Sequence, residues 1–251
     1  MSQVNPYATP QSFDSMQSTE GPRRVTIRPF EAISRGYKLL GDQYWMYFLF
    51  CFLCIIVASF VPFGLLYGPV MVGLFLCLLE RERGRQFDMN VLMRGFDNFL
   101  NSLVAIIIMV GINLVILGPL TVVFMVFFLA NTAGNRQPDP VLMFGSLFIF
   151  VALTWVLSIL TYLPFVFCFQ LLADRKMGAW DAIKLSFRAV RMNLGGVILL
   201  MVTGFMLSIL LVMMCYIPVF LFMPVWFAAL QVVYRDIFPD EVVEAQVTQA
   251  R

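Results

Sequence analysis

Three basic side chains, Lys184, Arg188 and Arg191, have the type and spacing best suited to binding an anionic group. They lie within residues 180–202 and alternate with apolar residues that step by three and four positions, namely Trp180, Ile183, Phe187, Val190 and Leu194. This period predicts an amphipathic helix that carries basic and aromatic side chains together. Near an anionic membrane surface each basic residue contributes about 1 kcal/mol of attraction. The pattern predicts contact with anionic lipid; alternatively, the charges only set the topology of an interfacial helix.

The chain has five cysteines, and every one falls inside an apolar run: Cys51, Cys54, Cys77, Cys168 and Cys215. Cys51 and Cys54 have the CxxC spacing of redox and metal sites. Such sites need thiolates, polar surroundings or further ligands, and the sequence contains no histidine. We therefore interpret the cysteines as small apolar residues of membrane helices, and we expect no metal, no cofactor and no disulfide framework.

The sequence lacks the motifs of the common catalytic sites. Without histidine it cannot form a Ser/His pair, and it contains no HExxH, P-loop or GxSxG motif. No Asp, Glu, Lys or Arg lies within its long apolar runs, where such charges are usually kept for transport or proton relay. We therefore expect a protein that is not an enzyme, a proton-coupled carrier or a voltage sensor.

The composition indicates a membrane protein that crosses the bilayer several times. Hydrophobic residues make up 61% of the 251 residues and charged residues 13%, whereas soluble domains average about 45–50% and about 25%. The net charge is only +2. Because the basic residues flank apolar runs and form no patch of their own, the sequence does not indicate nucleic-acid binding.

Six apolar runs predict six transmembrane helices arranged as three hairpins, each preceded by an amphipathic interfacial helix. The runs are 45–60, 65–79, 103–130, 141–172, 195–216 and 218–233. The first two are short, so a re-entrant pair is an alternative to a full hairpin. Gly118-Pro119 interrupts residues 103–130, which are too few for two spans, so one long kinked helix is expected. A disordered tail at residues 1–28 and an acidic tail at 236–251 flank this membrane domain, residues 29–235.

The three amphipathic segments align without gaps, which predicts an internal repeat. An offset of 150 aligns residues 30–33 (FEAI) with 180–183 (WDAI), and an offset of 59 aligns 35–37 (RGY) with 94–96 (RGF). Each unit also ends with a proline followed after 11 or 12 residues by an arginine, in the pairs Pro69 with Arg81, Pro164 with Arg175, and Pro224 with Arg235. The predicted units cover about residues 30–81, 88–175 and 180–235.

The distribution of basic residues predicts the orientation. In the six-span topology all but one of the 17 lysines and arginines lie on one side, and Arg136 lies on the other. The positive-inside rule places the basic side and both termini in the cytoplasm, which predicts a multi-pass protein of the inner (cytoplasmic) membrane. Arg35 and Lys38 of the first amphipathic segment are further candidates for contact with anionic lipid.

A few polar residues fall at membrane depth, among them Asn113, Thr154, Ser158 and Gln170. Such residues can line a transport pathway, but they more often form hydrogen bonds between helices or to their own backbone. Our leading hypothesis is a non-enzymatic module that scaffolds, regulates or interacts with lipid. The main alternative is a transporter or channel for a small or lipidic solute, and an interfacial lipid enzyme is a third hypothesis with little support in the sequence. Protein partners cannot be deduced from these patterns.

One helical motif resembles a known group of bacterial membrane proteins. It has the form W-x-A followed by S-aromatic and a later asparagine, here Trp180, Ala182, Ser186, Phe187 and Asn193. In this it is similar to the glycerophosphoryl diester phosphodiesterase membrane domain and to YciC-like inner-membrane proteins. The catalytic activity in the name of the first family belongs to a separate soluble domain, and no part of this chain matches that domain. The resemblance implies a fold and an inner-membrane location without an activity.

Overall fold

The computed structural model describes residues 21–60, 66–132, 139–214 and 216–239, without the side chains of residues 57–60. In these ranges the α-helices are α1 Pro29–Leu40, α2 Tyr44–Phe60, α3 Tyr67–Glu82, α4 Met89–Met93, α5 Phe99–Thr132, α6 Pro140–Tyr162, α7 Cys168–Arg175, α8 Ala179–Met192, α9 Leu194–Met213 and α10 Ile217–Ile237. Short 3-10 turns at Gly41–Gln43, Arg94–Asn98 and Leu163–Phe165 adjoin them. Every regular element of the described chain is helical, which confirms the predicted all-α class.

Five of the described helical segments are long and apolar enough to cross a membrane. They are Pro29–Ile56, Met89–Thr132, Pro140–Arg175, Leu194–Met213 and Ile217–Ile237. The chain is therefore a multi-pass membrane protein. The sequence predicts a sixth span at residues 65–79, where α3 has 16 residues and so falls at the short end for a span.

Several parts of the sequence prediction fall outside the described residues. They are the tail residues 1–20, the turn at 62–64, the polar loop at 133–138 with Arg136, Cys215, and the acidic tail from residue 240 onward.

Proline has different effects in the two longest apolar runs. The run at 103–130 lies within the single 34-residue helix α5, with Pro119 inside it, as the sequence predicts. The run at 141–172 instead forms two helices, α6 and α7, with Pro164 in the 3-10 turn between them. Proline has no backbone N–H and its ring clashes with the preceding turn, which accounts for the end of α6 at this point.

Each amphipathic helix packs on a helix that ends a different predicted unit. α1 packs mainly on α10, α4 and the turn after it pack on α3, and α8 packs on α7 and the turn before it. Most residues of α3 and α7, and the second half of α10, are buried. These three helices therefore form the centre of the fold, and the amphipathic helices surround one end of it.

The repeat alignment superposes three residues that all lie at these contacts: Gly36, Gly95 and Ser186. A Cβ atom at Gly36 would lie 2.6 Å from the backbone nitrogen of Ala229 on α10, and one at Gly95 would lie 2.5 Å from the backbone of α3. The Ser186 hydroxyl instead accepts a hydrogen bond of 3.1 Å from the backbone N–H of Phe167. Small residues at this position thus allow close backbone approach, which a larger side chain would prevent.

A partly buried polar network joins the ends of the three central helices. The Arg235 guanidinium donates to the Glu82 carboxylate at 3.1 Å, and the Gln231 amide donates to the same oxygen at 3.2 Å. The Tyr234 hydroxyl donates to the Asp174 carboxylate at 2.8 Å. Burial raises the pKa of Glu82, which lies beyond the predicted span at 65–79, although Arg235 acts in the opposite direction. The network connects α3, α7 and α10 at the end of the fold where the basic residues lie.

Candidate functional site

Helix α8 buries only small and branched side chains and leaves its aromatic residues outside. It begins after Gly178, which has an extended backbone, with Asp181 in the first turn and Arg191 in the last, as the helix dipole favours. Ala182 and Ser186 are fully buried, whereas Trp180 and Phe187 are 57% and 44% exposed. The predicted apolar stripe is therefore divided, because its aromatic residues stay on the accessible side with the basic ones.

The three basic residues predicted from the sequence meet a fourth at one small cavity. The cavity has a volume of about 310 Å³ and is lined by Arg24, Lys184, Phe187, Arg188, Arg191 and Met192. The guanidinium carbon of Arg191 lies 5.7 Å from the centre of the Phe187 ring. The Lys184 ammonium lies 5.3 Å from the Trp180 ring centre. Both contacts are within the range of cation–π attraction, which holds the charged groups beside exposed aromatic rings.

Acidic residues neutralise little of this positive charge. The Lys184 ammonium lies 3.8 Å from the Asp181 carboxylate, and both side chains are well exposed, so the pair is weak. Within the described part of the chain no carboxylate pairs with Arg24, Arg188 or Arg191. Their guanidinium groups can therefore bind an external anion, and phosphate is one that arginine favours.

A second cavity adjoins the first and leads toward the apolar surface of α9. It has a volume of about 490 Å³ and is lined by Arg24, Val25, Thr26, Ile27, Met192, Asn193, Leu194, Gly195, Gly196 and Leu199. Arg24 and Met192 are common to the two cavities. Leu199, at the other end, lies within a candidate membrane span and is 52% exposed. A basic cavity and a groove with both polar and apolar lining residues thus lie side by side.

Asn193 places Arg24 at this site. Its side-chain oxygen accepts a hydrogen bond of 2.8 Å from the N–H of Val25, and its amide donates to the carbonyl of Arg23 at 3.0 Å. Ile27 is buried against Gly196, where a Cβ atom would lie 2.8 Å from the Ile27 side chain. The segment before α1 is therefore packed on the α8–α9 junction, although sequence analysis assigned residues 1–28 to a disordered tail.

Sequence reasoning missed Arg24 as a site residue because about 160 residues separate it from α8. The relevant signal is Asn193, the last residue of the motif that carries the family resemblance. A buried asparagine at a helix junction needs partners for its amide, and here its partners are backbone groups of the segment that contains Arg24.

The other two predicted basic residues, Arg35 and Lys38, do not line this cavity. The Arg35 guanidinium makes two hydrogen bonds to the Asp236 carboxylate, at 2.7 and 2.9 Å. Lys38 is exposed on α1. The structure therefore brings together three of the five candidates for lipid contact.

The polar residues suggested as a transport pathway are only partly brought together. Asn113 and Ser158 line a cavity of about 490 Å³ between α5, α6 and α9, together with Trp155 and Tyr162. The Asn113 side chain is already hydrogen-bonded, because its amide donates to Met109 and its oxygen accepts from Thr161. Gln170 lies on α7, fully buried, and does not line this cavity.

Cys51 and Cys54 line an apolar cavity of about 270 Å³ between α2, α3 and α10. Met71 and Met223 are the other sulfur-containing residues of its wall. Across the described residues no group of three or more His, Cys, Asp or Glu side chains could hold a metal ion.

The fold and this site define a class, an all-α multi-pass membrane protein with a basic cavity at one end of its helices. No family model, curated protein or solved structure matches the chain. The resemblance to the glycerophosphoryl diester phosphodiesterase membrane domain and to YciC-like proteins therefore stays a prediction from the sequence.

Proposed function

We propose that the protein is a non-enzymatic module of the inner membrane that binds anionic phospholipid at its cytoplasmic face. One observation carries the proposal: Arg24, Lys184, Arg188 and Arg191 line a single cavity, and among the described residues only Asp181 pairs with one of them. Basic cavities at the cytoplasmic ends of membrane helices are suited to phospholipid head groups.

The neighbouring aromatic residues support a membrane-facing site. Trp180 and Phe187 are exposed on α8 beside the basic residues, and amphipathic aromatic rings favour the level of the lipid head groups. At that depth each basic residue contributes about 1 kcal/mol of attraction to an anionic surface. The four together supply enough binding free energy to select anionic over zwitterionic lipid.

The proposal includes six spans, with α3 as the sixth, and both termini in the cytoplasm. Three hairpins then place every amphipathic helix on one side, and the contacts of these helices with α3, α7 and α10 support that arrangement. A topology reporter fused near Gly84 should report the cytoplasm, and one fused near Asn135 should report the periplasm. The opposite result would refute the orientation and, with it, the cytoplasmic location of the basic cavity.

The proposal also includes an internal repeat of three units. It is supported by the aligned contacts of Gly36, Gly95 and Ser186. A second aligned position, occupied by Gln43 and by Asn193, supports it as well. There the Gln43 side chain accepts a hydrogen bond of 2.8 Å from Phe87 N–H, as Asn193 does from the segment before α1. In both cases a side chain at the end of one amphipathic unit holds the chain that leads into another.

Lipid binding can be tested on the purified full-length protein by native mass spectrometry with phosphatidylglycerol and phosphatidylcholine. We expect Arg188→Gln/Arg191→Gln to reduce retention of phosphatidylglycerol about thirtyfold, because two contributions of about 1 kcal/mol are lost. Lys38→Gln/Arg94→Gln removes the same charge from two other interfacial segments and should reduce retention less, because these two side chains do not line the cavity. Equal retention of lipid by these two variants would refute the proposal.

Transport of a small or lipidic solute is the alternative, and the cavity lined by Asn113 and Ser158 favours it. This cavity has several apolar lining residues, so it supports transport less strongly than the four convergent basic groups support lipid binding. If transport is correct, Asn113→Leu should abolish uptake or flipping of the solute in reconstituted vesicles, while Arg188→Gln/Arg191→Gln should leave it unchanged.

A further inference from the structure

The side chains that line the basic cavity offer hydrogen-bond donors and no oxygen acceptor. Four of its six lining residues are cationic, and the others are Phe187 and Met192. A head group with glycerol, sugar or ammonium groups presents donors that require acceptors. A head group that ends in an unsubstituted phosphate presents oxygens alone, which suit arginine and lysine.

The charge of the cavity also favours a doubly charged anion. Four cations line it, and Asp181 is the one carboxylate of the described chain that pairs with any of them. A phosphate monoester carries about −1.5 to −2 charges at neutral pH because its second pKa is about 6, whereas a phosphodiester carries a single charge. The cavity therefore attracts a doubly charged monoester more strongly than a singly charged diester.

The adjoining groove provides a place for the rest of a lipid. It extends from Arg24 past Gly195 and Gly196 to Leu199. Leu199 belongs to α9, a candidate membrane span.

From these features, and resting on the proposed function, we infer that the site takes a lipid with a phosphate monoester head group, such as phosphatidic acid. The phosphate lies among Arg24, Arg188 and Arg191, and the glycerol and one acyl chain follow the groove toward Leu199. Arg24 borders both cavities, so it contacts the phosphate where the glycerol begins, and its charge adds to the attraction for the doubly charged monoester. Asn193 is a positioning residue because it holds the backbone on both sides of Arg24.

The first experiment compares phosphatidic acid with phosphatidylglycerol on the full-length protein in nanodiscs of phosphatidylcholine. We expect five- to tenfold preferential retention of phosphatidic acid, since one extra charge gains about 1 kcal/mol or slightly more. At pH 5.5 most of the free monoester has lost its second charge, so the preference should decrease. Equal retention at pH 7.5 would overturn the inference and leave the proposed function intact, whereas no preference over phosphatidylcholine would refute both.

Variants then test the two parts of the site separately. Arg24→Gln should lower the ratio of phosphatidic acid to phosphatidylglycerol toward one, and Arg24→Lys should retain most of it. A ratio unchanged in Arg24→Gln would overturn the role of Arg24. Asn193→Ala should lower the ratio without any change in the charge of the protein, and size-exclusion chromatography verifies that each variant is folded.

The groove is tested with Gly195→Leu, because a Cβ atom at Gly195 meets no neighbouring atom within 4 Å. The added side chain should occupy the groove and reduce retention of phosphatidic acid without loss of thermal stability. Gly111→Leu is the matched control, since Gly111 on α5 has equally open surroundings. Water-soluble glycerol 3-phosphate distinguishes a phosphate site from a lipid site: displacement of phosphatidic acid at equal concentration would overturn the role of the groove.

Discussion

The two amphipathic helices α1 and α8 have the same pattern of residues, yet only α8 contributes to a basic cavity. On α1 the guanidinium of Arg35 is bound by both oxygens of Asp236. On α8 the described structure pairs neither Arg188 nor Arg191 with a carboxylate. A basic amphipathic pattern therefore does not define an anion site. The acidic residues that the rest of the fold brings to the helix decide whether its charges are available.

The two helices also differ in how closely they pack. Gly36 on α1 lies against the backbone of Ala228 and Ala229, whereas Ser186 at the aligned position of α8 has room for a hydroxyl that binds the Phe167 N–H. Arg35 of α1 also forms an ion pair with Asp236 of α10, the helix that Gly36 contacts. We infer that α1 serves mainly to close the structure, and that α8 combines a looser packing contact with a binding surface.

The largest effect on stability is expected when Gly36 of α1 is replaced by serine, the residue at the aligned position of α8. In Gly36→Ser the new Cβ atom would lie 2.6 Å from the nitrogen of Ala229, a backbone atom that cannot move aside cheaply. We expect a loss of about 3 kcal/mol or more in stability, at the upper end for overpacking, measured as thermal unfolding in detergent. Gly145→Ser is the control because a Cβ at Gly145 meets no atom within 4 Å. Equal unfolding temperatures for the two variants would contradict the close contact.

The reciprocal change tests the hydrogen bond of α8. Ser186→Ala keeps the Cβ atom and removes the acceptor of the buried Phe167 N–H. An unsatisfied buried donor costs about 1–3 kcal/mol, so this variant should be less stable than the wild type but more stable than Gly36→Ser. Ser34→Ala, at an exposed position of α1, should have almost no effect. A Ser186→Ala variant as stable as the wild type would show that the hydroxyl is dispensable for packing α8.

Glu82 of α3 accepts hydrogen bonds from α10, the helix on which α1 packs. The contribution of Glu82 to stability should vary with pH. Burial raises the pKa of Glu82 above its ordinary value of 4.5, so the folded state binds a proton at a higher pH than the unfolded state does. The contribution of this group to stability is therefore greatest below the ordinary pKa, and it is lost as pH rises through the folded pKa. We expect the wild type to gain stability relative to Glu82→Gln as the pH falls from 7 to the ordinary pKa of 4.5, in thermal unfolding experiments. A constant difference across that interval would contradict the raised pKa.

The sequence predicts the local features of this protein better than its long-range contacts. Period and hydropathy suffice for α1, α8 and the single helix α5, because these features depend on neighbouring residues. The pairing of Arg35 with Asp236 and the approach of Arg24 to α8 each join residues more than 150 positions apart. Neither contact produces a local sequence pattern. The sequence therefore predicts lipid contact for Arg35 and Arg188 alike, and only the fold distinguishes them.

The smallest effect on stability is expected when Arg35 of α1 loses its carboxylate partner, so that it is unpaired like the arginines of α8. Asp236→Asn removes the carboxylate that binds Arg35, and because this ion pair is partly exposed, its loss should cost only about 0.2–1 kcal/mol of stability. The released guanidinium lies at the same end of the fold as the basic cavity, so retention of phosphatidylglycerol should rise about fivefold, as one available basic residue implies. Asp236→Asn/Arg35→Gln should return retention to the wild-type value. Unchanged retention in Asp236→Asn would show that an unpaired arginine is insufficient, and that the site on α8 requires the cavity formed with Arg24.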